Sequence, residues 1–241
     1  MALSTEPFAV TSSGTTTDRL FQAMLERIRD GRWPVGSLLP GERKLIEEFG
    51  VSRIPLREAL STLRALGLIQ TVHGRGSMVQ AIDAQVLACL FPLLLSMDGM
   101  GSFTHVLEVR LALEGQTAYL AALRCSDADL MALRACHAEL RAAIDSDDDD
   151  RYVEADREFH QIIARASGNP LFPVLLQSLA GYYAYYIRKS CQAHPPNRFK
   201  ALDFHQRIEA AIAARDGQAA QAVMTEHLRL SATHALEQGL A

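Results

Sequence analysis

The chain has 241 residues, 49% of them hydrophobic, which is the composition of a globular protein with room for one large core or two modest ones. Its net charge of −4 argues against nucleic acid as the partner of the whole chain, yet the charge is uneven. Residues 18–80 carry ten basic and seven acidic side chains, and residues 81–241 fourteen and twenty, as if a small basic module were joined to a larger acidic one. Four cysteines, at positions 89, 125, 136 and 191, have neither CxxC spacing nor a dense framework, so reduced thiols in a cytoplasmic protein are expected. The longest apolar run, Val86 to Leu95, contains Pro92 and is far short of the roughly 20 residues that cross a bilayer. No membrane partner is expected.

Residues 1–17 are rich in Ser and Thr, lack the basic start and apolar run of a signal peptide, and are expected to form a flexible tail. In DRLFQAMLERIRDG, Leu20, Met24, Leu25 and Ile28 recur at helical spacing until Gly31 ends the run. After a turn through RWPVGSLLPG, ERKLIEEFG predicts a short helix closed by Gly50, which is free to take positive φ. Ser52 then suits the cap of a third helix. Pro55 falls in its first turn, and Leu56, Leu60, Leu63 and Leu66 supply an apolar stripe. LIQTV and SMVQ around HGRG predict a small β-hairpin. Three helices and a hairpin in residues 18–80 describe a winged helix-turn-helix, in which the second helix of the turn motif enters the DNA major groove.

Arg53 and Arg57 lie four apart on the helix begun by VSRIPLREAL, a repulsive spacing unless an anion lies opposite. Such a pair fits an ordinary solvated face. It also fits a phosphate or a guanine edge, to which the planar guanidinium can donate two hydrogen bonds.

The stretch LPGERKLIEEFGVSRIPLREALSTLRALGLIQTVHGRGSMV resembles the DNA-binding signature of the GntR family of bacterial transcription regulators. The resemblance rests on the Leu-Pro-x-Glu-Arg start, the Val-Ser-Arg turn, the Arg-Glu-Ala-Leu helix and the Gly-Arg-Gly wing. It implies DNA contact by Arg43, Ser52, Arg53 and Arg57, with His73, Gly74 and Arg75 at the wing tip, and a dimer on a pseudo-palindromic operator. Gly41 departs from the pattern, since Ser is commoner there, which weakens the expected cap of the short helix.

Residues 81–101 are expected to be a linker and connecting helix. Beyond them, Ala- and Leu-rich stretches broken by MDGMGS, SDDDD, SGNP and HPPN predict an all-helical domain of six or seven helices over residues 102–238. The expected fold class is therefore mainly α: an N-terminal winged helix-turn-helix with a small hairpin wing, then an all-α bundle. The acidic run reads as a solvated loop, because it lacks a calcium-binding spacing.

Asp156 and His160, four apart on a predicted helix, point to one face and could be half a metal site or an exposed pair. His205 and His227 are equidistant from residue 216, and Asp216-Gly217 is the strongest breaker between them. Antiparallel helices turning there run roughly 16 Å out and back at about 1.5 Å per residue, bringing both imidazoles to one level. One Asp and three His suit a divalent metal ion, Zn²⁺ first, with Ni²⁺ or Mn²⁺ also compatible. His105, His137, His194 and His234 read as unrelated polar residues.

Residues 102–230 also resemble the ligand-binding (FCD) domain of the FadR subfamily of GntR regulators, in which an Asp-x3-His pair and two later His bind a metal in many members. The resemblance maps the metal onto Asp156, His160, His205 and His227. Through LEVRLALEGQTAYLAA it implies that Arg110 holds the carboxylate of a small organic-acid effector, with Asn169 as a further lining residue. From the residues alone, Arg110 could equally pair with Glu114 at i+4. The expected function is a sequence-specific transcription regulator, a repressor whose operator affinity is set by an acid bound at the metal. Two other readings stay open: a metal-dependent enzyme with an appended DNA-binding module, and an effector-free dimeric DNA-binding protein.

Overall fold

The structure is a computed structural model, which describes residues 14–81, 103–193 and 196–237. The chain divides into two compact units, Met1–Asp83 and Ala84–Ala241.

In the first unit, α1 (Thr16–Arg29) begins with a reciprocal cap between Thr15 and Asp18. Thr16 and Thr17 thus belong to the helix, although composition alone assigned them to the tail, because the orphan N–H groups of a first turn take the nearest Ser, Thr or Asp. The helices α2 (Glu42–Phe49) and α3 (Arg53–Ala65) flank Gly50, which has φ of 62° as the turn requires. Gly41 provides no side-chain cap for α2. Ser52 stands at the N-cap of α3, but its side chain makes no capping hydrogen bond, contrary to expectation. Leu56, Leu60 and Leu63 are buried with Leu20, Met24 and Leu45, whereas Leu66 lies at the C-cap and is exposed. The register of α3 turns Ala59 inward instead.

Strands β1 (Ile69–Val72) and β2 (Gly76–Val79) pair antiparallel, Ile69 opposite Val79 and Val72 opposite Gly76. Part of the expected turn RWPVGSLLPG extends this hairpin: the Leu39 N–H donates to Ser77 O and the Val79 N–H to Ser37 O, at 2.8 and 2.9 Å. An isolated hairpin is marginal in water, and the added segment satisfies the other edge of β2.

Most of the expected linker, residues 82–101, lies outside the described residues. The second unit contains six described helices: α4 (Phe103–Arg124), α5 (Asp127–Asp145), α6 (Asp149–Ala166), α7 (Leu171–Ala193), α8 (Pro196–Ala213) and α9 (Gly217–Glu237). Helix α4 packs along α9 and α6, while α8 packs against α9, α5 and α4. Their shared core includes Ala118, Ala121, Leu140, Phe159, Ile163, Ile208 and Leu228.

The acidic run is a helix start rather than a solvated loop. Asp148 caps α6 by accepting from the Arg151 N–H at 3.0 Å, and Asp149 and Asp150 sit in the first turn, where the helix dipole favours negative charge. Buried Arg198 reaches Asp147 and Asp149, at 2.7 and 3.3 Å.

The break between α8 and α9 is fixed by contacts to α4 and to Cys125, the residue after it. Arg215, at φ 60°, donates to Cys125 O at 2.7 Å, and Asp216 caps α9 through the Ala219 N–H. A Cβ on Gly217 would lie 2.8 Å from the Tyr119 ring, so only glycine fits there.

Candidate metal centre and nucleic-acid interface

The turn at Asp216-Gly217 sets α8 and α9 side by side at equal distances from the break. His205 on α8 and His227 on α9 meet with their Nε2 atoms 3.2 Å apart. Helix α6 adds Asp156 and, one turn on, His160. Asp156 Oδ1 is 3.5 Å from His205 Nε2, and one ligand atom from each of the four residues lies within 4.8 Å of the others. All four are buried, with His205 fully so.

The donor set fits a divalent metal ion. Two facing Nε2 atoms can share only one proton, and His160 Nε2 is buried without a hydrogen-bond partner. Burial pushes the His205 imidazole well below its ordinary pKa, reinforced by His227 and His160; burial likewise depresses His227. Neutral rings with lone pairs are the form that binds metal. Burial raises the Asp156 carboxyl against the opposing pull of His160 and Arg110. Three imidazoles and one carboxylate, with no thiolate, suit Zn²⁺, Mn²⁺ or Ni²⁺ and leave positions for water or a ligand. When bound, such an ion supplies a Lewis-acidic point for an anionic oxygen.

Beside the cluster lies a partly open cavity. Its lining combines polar side chains, among them Arg110, Glu114, Asp156 and His160, with apolar ones that include Leu176, Leu179 and Ile187. Of the two sequence readings of Arg110, the pairing is present: it forms a buried ion pair with Glu114 one turn on, and it also lines the cavity with Nη1 buried and unpartnered. Its guanidinium carbon stands 3.4 Å from the centre of the Tyr183 ring, a cation–π arrangement. Burial opposes charge on Glu114, but Arg110 and then His160 hold its carboxyl well below the usual carboxylate range.

Asn169 is not among the residues lining this cavity. Its Oδ1 accepts the Leu171 N–H at 3.0 Å, so the side chain is spent on starting α7. His137, expected to be unrelated, stacks on Phe159 at 5.2 Å between ring centroids, and Phe159 stacks on His205 at 4.1 Å. His137 Nδ1 lies 2.6 Å from Glu209 Oε2. His105 is exposed, and the side chains of His194 and His234 lie outside the described residues. The contact between Glu114 Oε2 and His160 Nδ1, at 2.5 Å, is the feature that sequence reading missed. The i+4 spacing to Arg110 revealed the first partner of Glu114, but nothing local signals the second.

In the first unit, Arg53, Ile54 and Arg57 are exposed at the start of α3, and His73, Gly74 and Arg75 are exposed at the hairpin tip. Gly74 has φ of 70° there. Arg57 is not without a counter-charge: its Nε lies 3.2 Å from Glu42 Oε2, and the exposed Arg43 faces Glu47 at 3.7 Å. Solvent-exposed pairs of this kind contribute little and exchange readily for a phosphate.

Residues 16–79 match the bacterial regulatory proteins of the gntR family, and residues 105–230 match the FCD domain. The chain belongs to the GntR family. This GntR protein is 34% identical over 212 residues to the Glc operon transcriptional activator of Escherichia coli K12, covering 84% of this chain and 82% of that one. It is 32% identical over 224 residues to a putative L-lactate dehydrogenase operon regulatory protein of the same strain, covering 87% and 84%. The solved Streptococcus agalactiae GntR structure superposes with a TM-score of 0.71 at 25% identity, covering 90% of this chain and 99% of the other. The protein is thus a DNA-binding transcription regulator with an FCD effector-binding domain, and its relatives are regulators rather than enzymes. FCD domains commonly bind metal, and Asp156, His160, His205 and His227 form a cluster able to hold one. Among the described residues no helix is long and apolar enough to cross a membrane.

Proposed function

We propose that this GntR regulator holds Zn²⁺ on Asp156, His160, His205 and His227 and senses a small carboxylate in the adjoining cavity. The observation that carries the reading is Arg110 Nη1, a charged donor that is buried, without a hydrogen-bond partner, and part of a side chain lining the same cavity as Asp156 and His160. A buried donor left unpaired costs about 1–3 kcal/mol, more when charged, and an incoming carboxylate removes that penalty. The cavity combines a few polar groups with an apolar lining, as small-ligand sites do. One relative is named for an L-lactate dehydrogenase operon, and L-lactate is a small carboxylate.

In this reading Arg43, Ser52, Arg53 and Arg57, with His73, Gly74 and Arg75, contact a pseudo-palindromic operator as part of a homodimer. Their exposure and the N-terminal position of Arg53 and Arg57 on α3 support it. Acid binding favours one state of the regulator, so operator affinity and acid affinity change each other by the same factor. We take the sign to be repression relieved by acid. The Glc operon relative is named an activator, and a reporter gene read with and without the regulator distinguishes the two signs.

The test is a thermal-shift screen of short carboxylates on zinc-loaded protein, followed by operator binding at fixed salt. A hit should stabilise wild type, fail to stabilise Arg110→Ala, and alter operator affinity. Stabilisation that survives in Arg110→Ala refutes the anion role of Arg110.

A further inference from the structure

Glu114 is 1% exposed and faces two partners from different helices. One oxygen, Oε1, takes the guanidinium of Arg110 on its own helix α4. The other, Oε2, lies 2.5 Å from His160 Nδ1 on α6, an ion-pair contact whose angle is not yet that of a hydrogen bond. His160 belongs to the four-residue cluster, and its far ring nitrogen, Nε2, is buried and without a hydrogen-bond partner. An imidazole carries a proton on one nitrogen when neutral, so whichever group holds Nδ1–H determines that Nε2 presents a lone pair. A carboxylate on the outer nitrogen also makes the ring a better donor and fixes its orientation. Buried carboxylates are costly without such partners, and Arg110 alone would satisfy only one side of Glu114.

We propose that Glu114 is a positioning residue: it accepts the Nδ1 proton of His160, aims Nε2 at the metal position, and links that ligand to the cavity arginine, Arg110. The inference rests on the metal reading of the four-residue cluster. It assigns Glu114 a second task beyond neutralising Arg110. Because one carboxylate serves both groups, the strength of its hold on His160 depends on how strongly Arg110 competes for it. Metal affinity therefore responds to the state of Arg110 even when no acid is present.

The test is Zn²⁺ affinity, measured by competition with a chelator of known strength, and the visible absorption of Co²⁺-loaded protein. Wild type, Glu114→Gln, Arg110→Met and the double variant are compared without any acid. Glu114→Gln keeps the side-chain volume and removes the charge; it should bind Zn²⁺ about 10- to 100-fold more weakly and shift the Co²⁺ bands. Arg110→Met should bind at least as tightly as wild type, since Glu114 then serves His160 alone. The double variant removes both buried charges, so it stays foldable even where Glu114→Gln alone does not, and it should remain as weak as Glu114→Gln.

A double variant with wild-type affinity and spectrum would mean that Glu114 only neutralises Arg110, and the proposal falls. Equal Zn²⁺ affinity in wild type and folded Glu114→Gln overturns it too, while leaving the metal reading intact. Wild type that binds no Zn²⁺ overturns both together.

Discussion

The Nε2 atoms of His205 and His227 lie 3.2 Å apart although 22 residues separate them in sequence. Neither ring can be protonated there without pressing a charge against the other in a buried site. Replacing His205 with Ala removes one of four donors, so bound zinc should fall from about one per chain towards none. Zn²⁺ should then no longer raise the melting temperature. Undiminished zinc in the variant, measured by elemental analysis, would exclude His205 as a ligand.

The same pair sets a pH dependence for the metal-free protein. Burial holds both folded-state pKa values well below the ordinary 6.5, helped at His205 by His227. The unfolded chain therefore binds more protons as pH falls through about 6.5, and stability present above that value is lost below it. Each histidine should remove roughly 1 kcal/mol per pH unit below about pH 6. Urea midpoints recorded from pH 7.5 to 5 check this, and a flat profile contradicts it.

Arg110 and Glu114 are both almost fully buried and face each other across one helical turn. Arg110→Ala leaves a carboxylate without its main counter-charge and should cost about 3–5 kcal/mol in denaturant titration. The double variant Arg110→Met with Glu114→Gln should recover more than half of that loss, because no lone charge remains buried.

Arg57 is exposed and pairs with Glu42 at the protein surface. Arg57→Ala should leave folding stability within about 0.5 kcal/mol, weaken specific operator binding by about 1–3 kcal/mol, and spare acid binding. If Arg57 contacts a phosphate, the salt dependence of binding falls by about one unit of slope; if it contacts a base, discrimination at one operator position relaxes. Unchanged operator affinity at matched salt contradicts both.

The Cys136 thiol is pushed up to about 12 by burial and by Asp156, and its Sγ donates to Ala155 O at 3.1 Å. It should resist iodoacetamide at pH 8 in the folded protein and react once urea unfolds the chain, as read by mass spectrometry.

Much of this protein was legible locally. Apolar spacing located α1, α2 and α3, Gly50 ended α2 where a positive φ was needed, and the Asp216-Gly217 break put His205 and His227 on a common level. These features depend on residues a few positions apart or on arithmetic along two straight helices, which sequence records directly. The errors were of two kinds. Residues with several possible hydrogen-bond partners departed from what composition suggests: Ser52 makes no capping bond, Asn169 accepts from Leu171, and the acidic run starts α6. The segment through Ser37 and Leu39 joined the hairpin because a strand edge needs a partner, and only the folded edge reveals which chain is close enough.

By itself the sequence determined the family and pointed to the four side chains that gather into a cluster able to hold a metal, because the family rests on local motifs and the four positions on helical spacing and residue type. Only the tertiary structure decided that Glu114 of α4 touches His160 of α6, that His137 and Phe159 stack against the cluster, and that Arg110 keeps an unpartnered nitrogen beside the cavity. Those contacts join helices far apart in the chain, and their identity follows from how the helix faces pack, which no local pattern encodes.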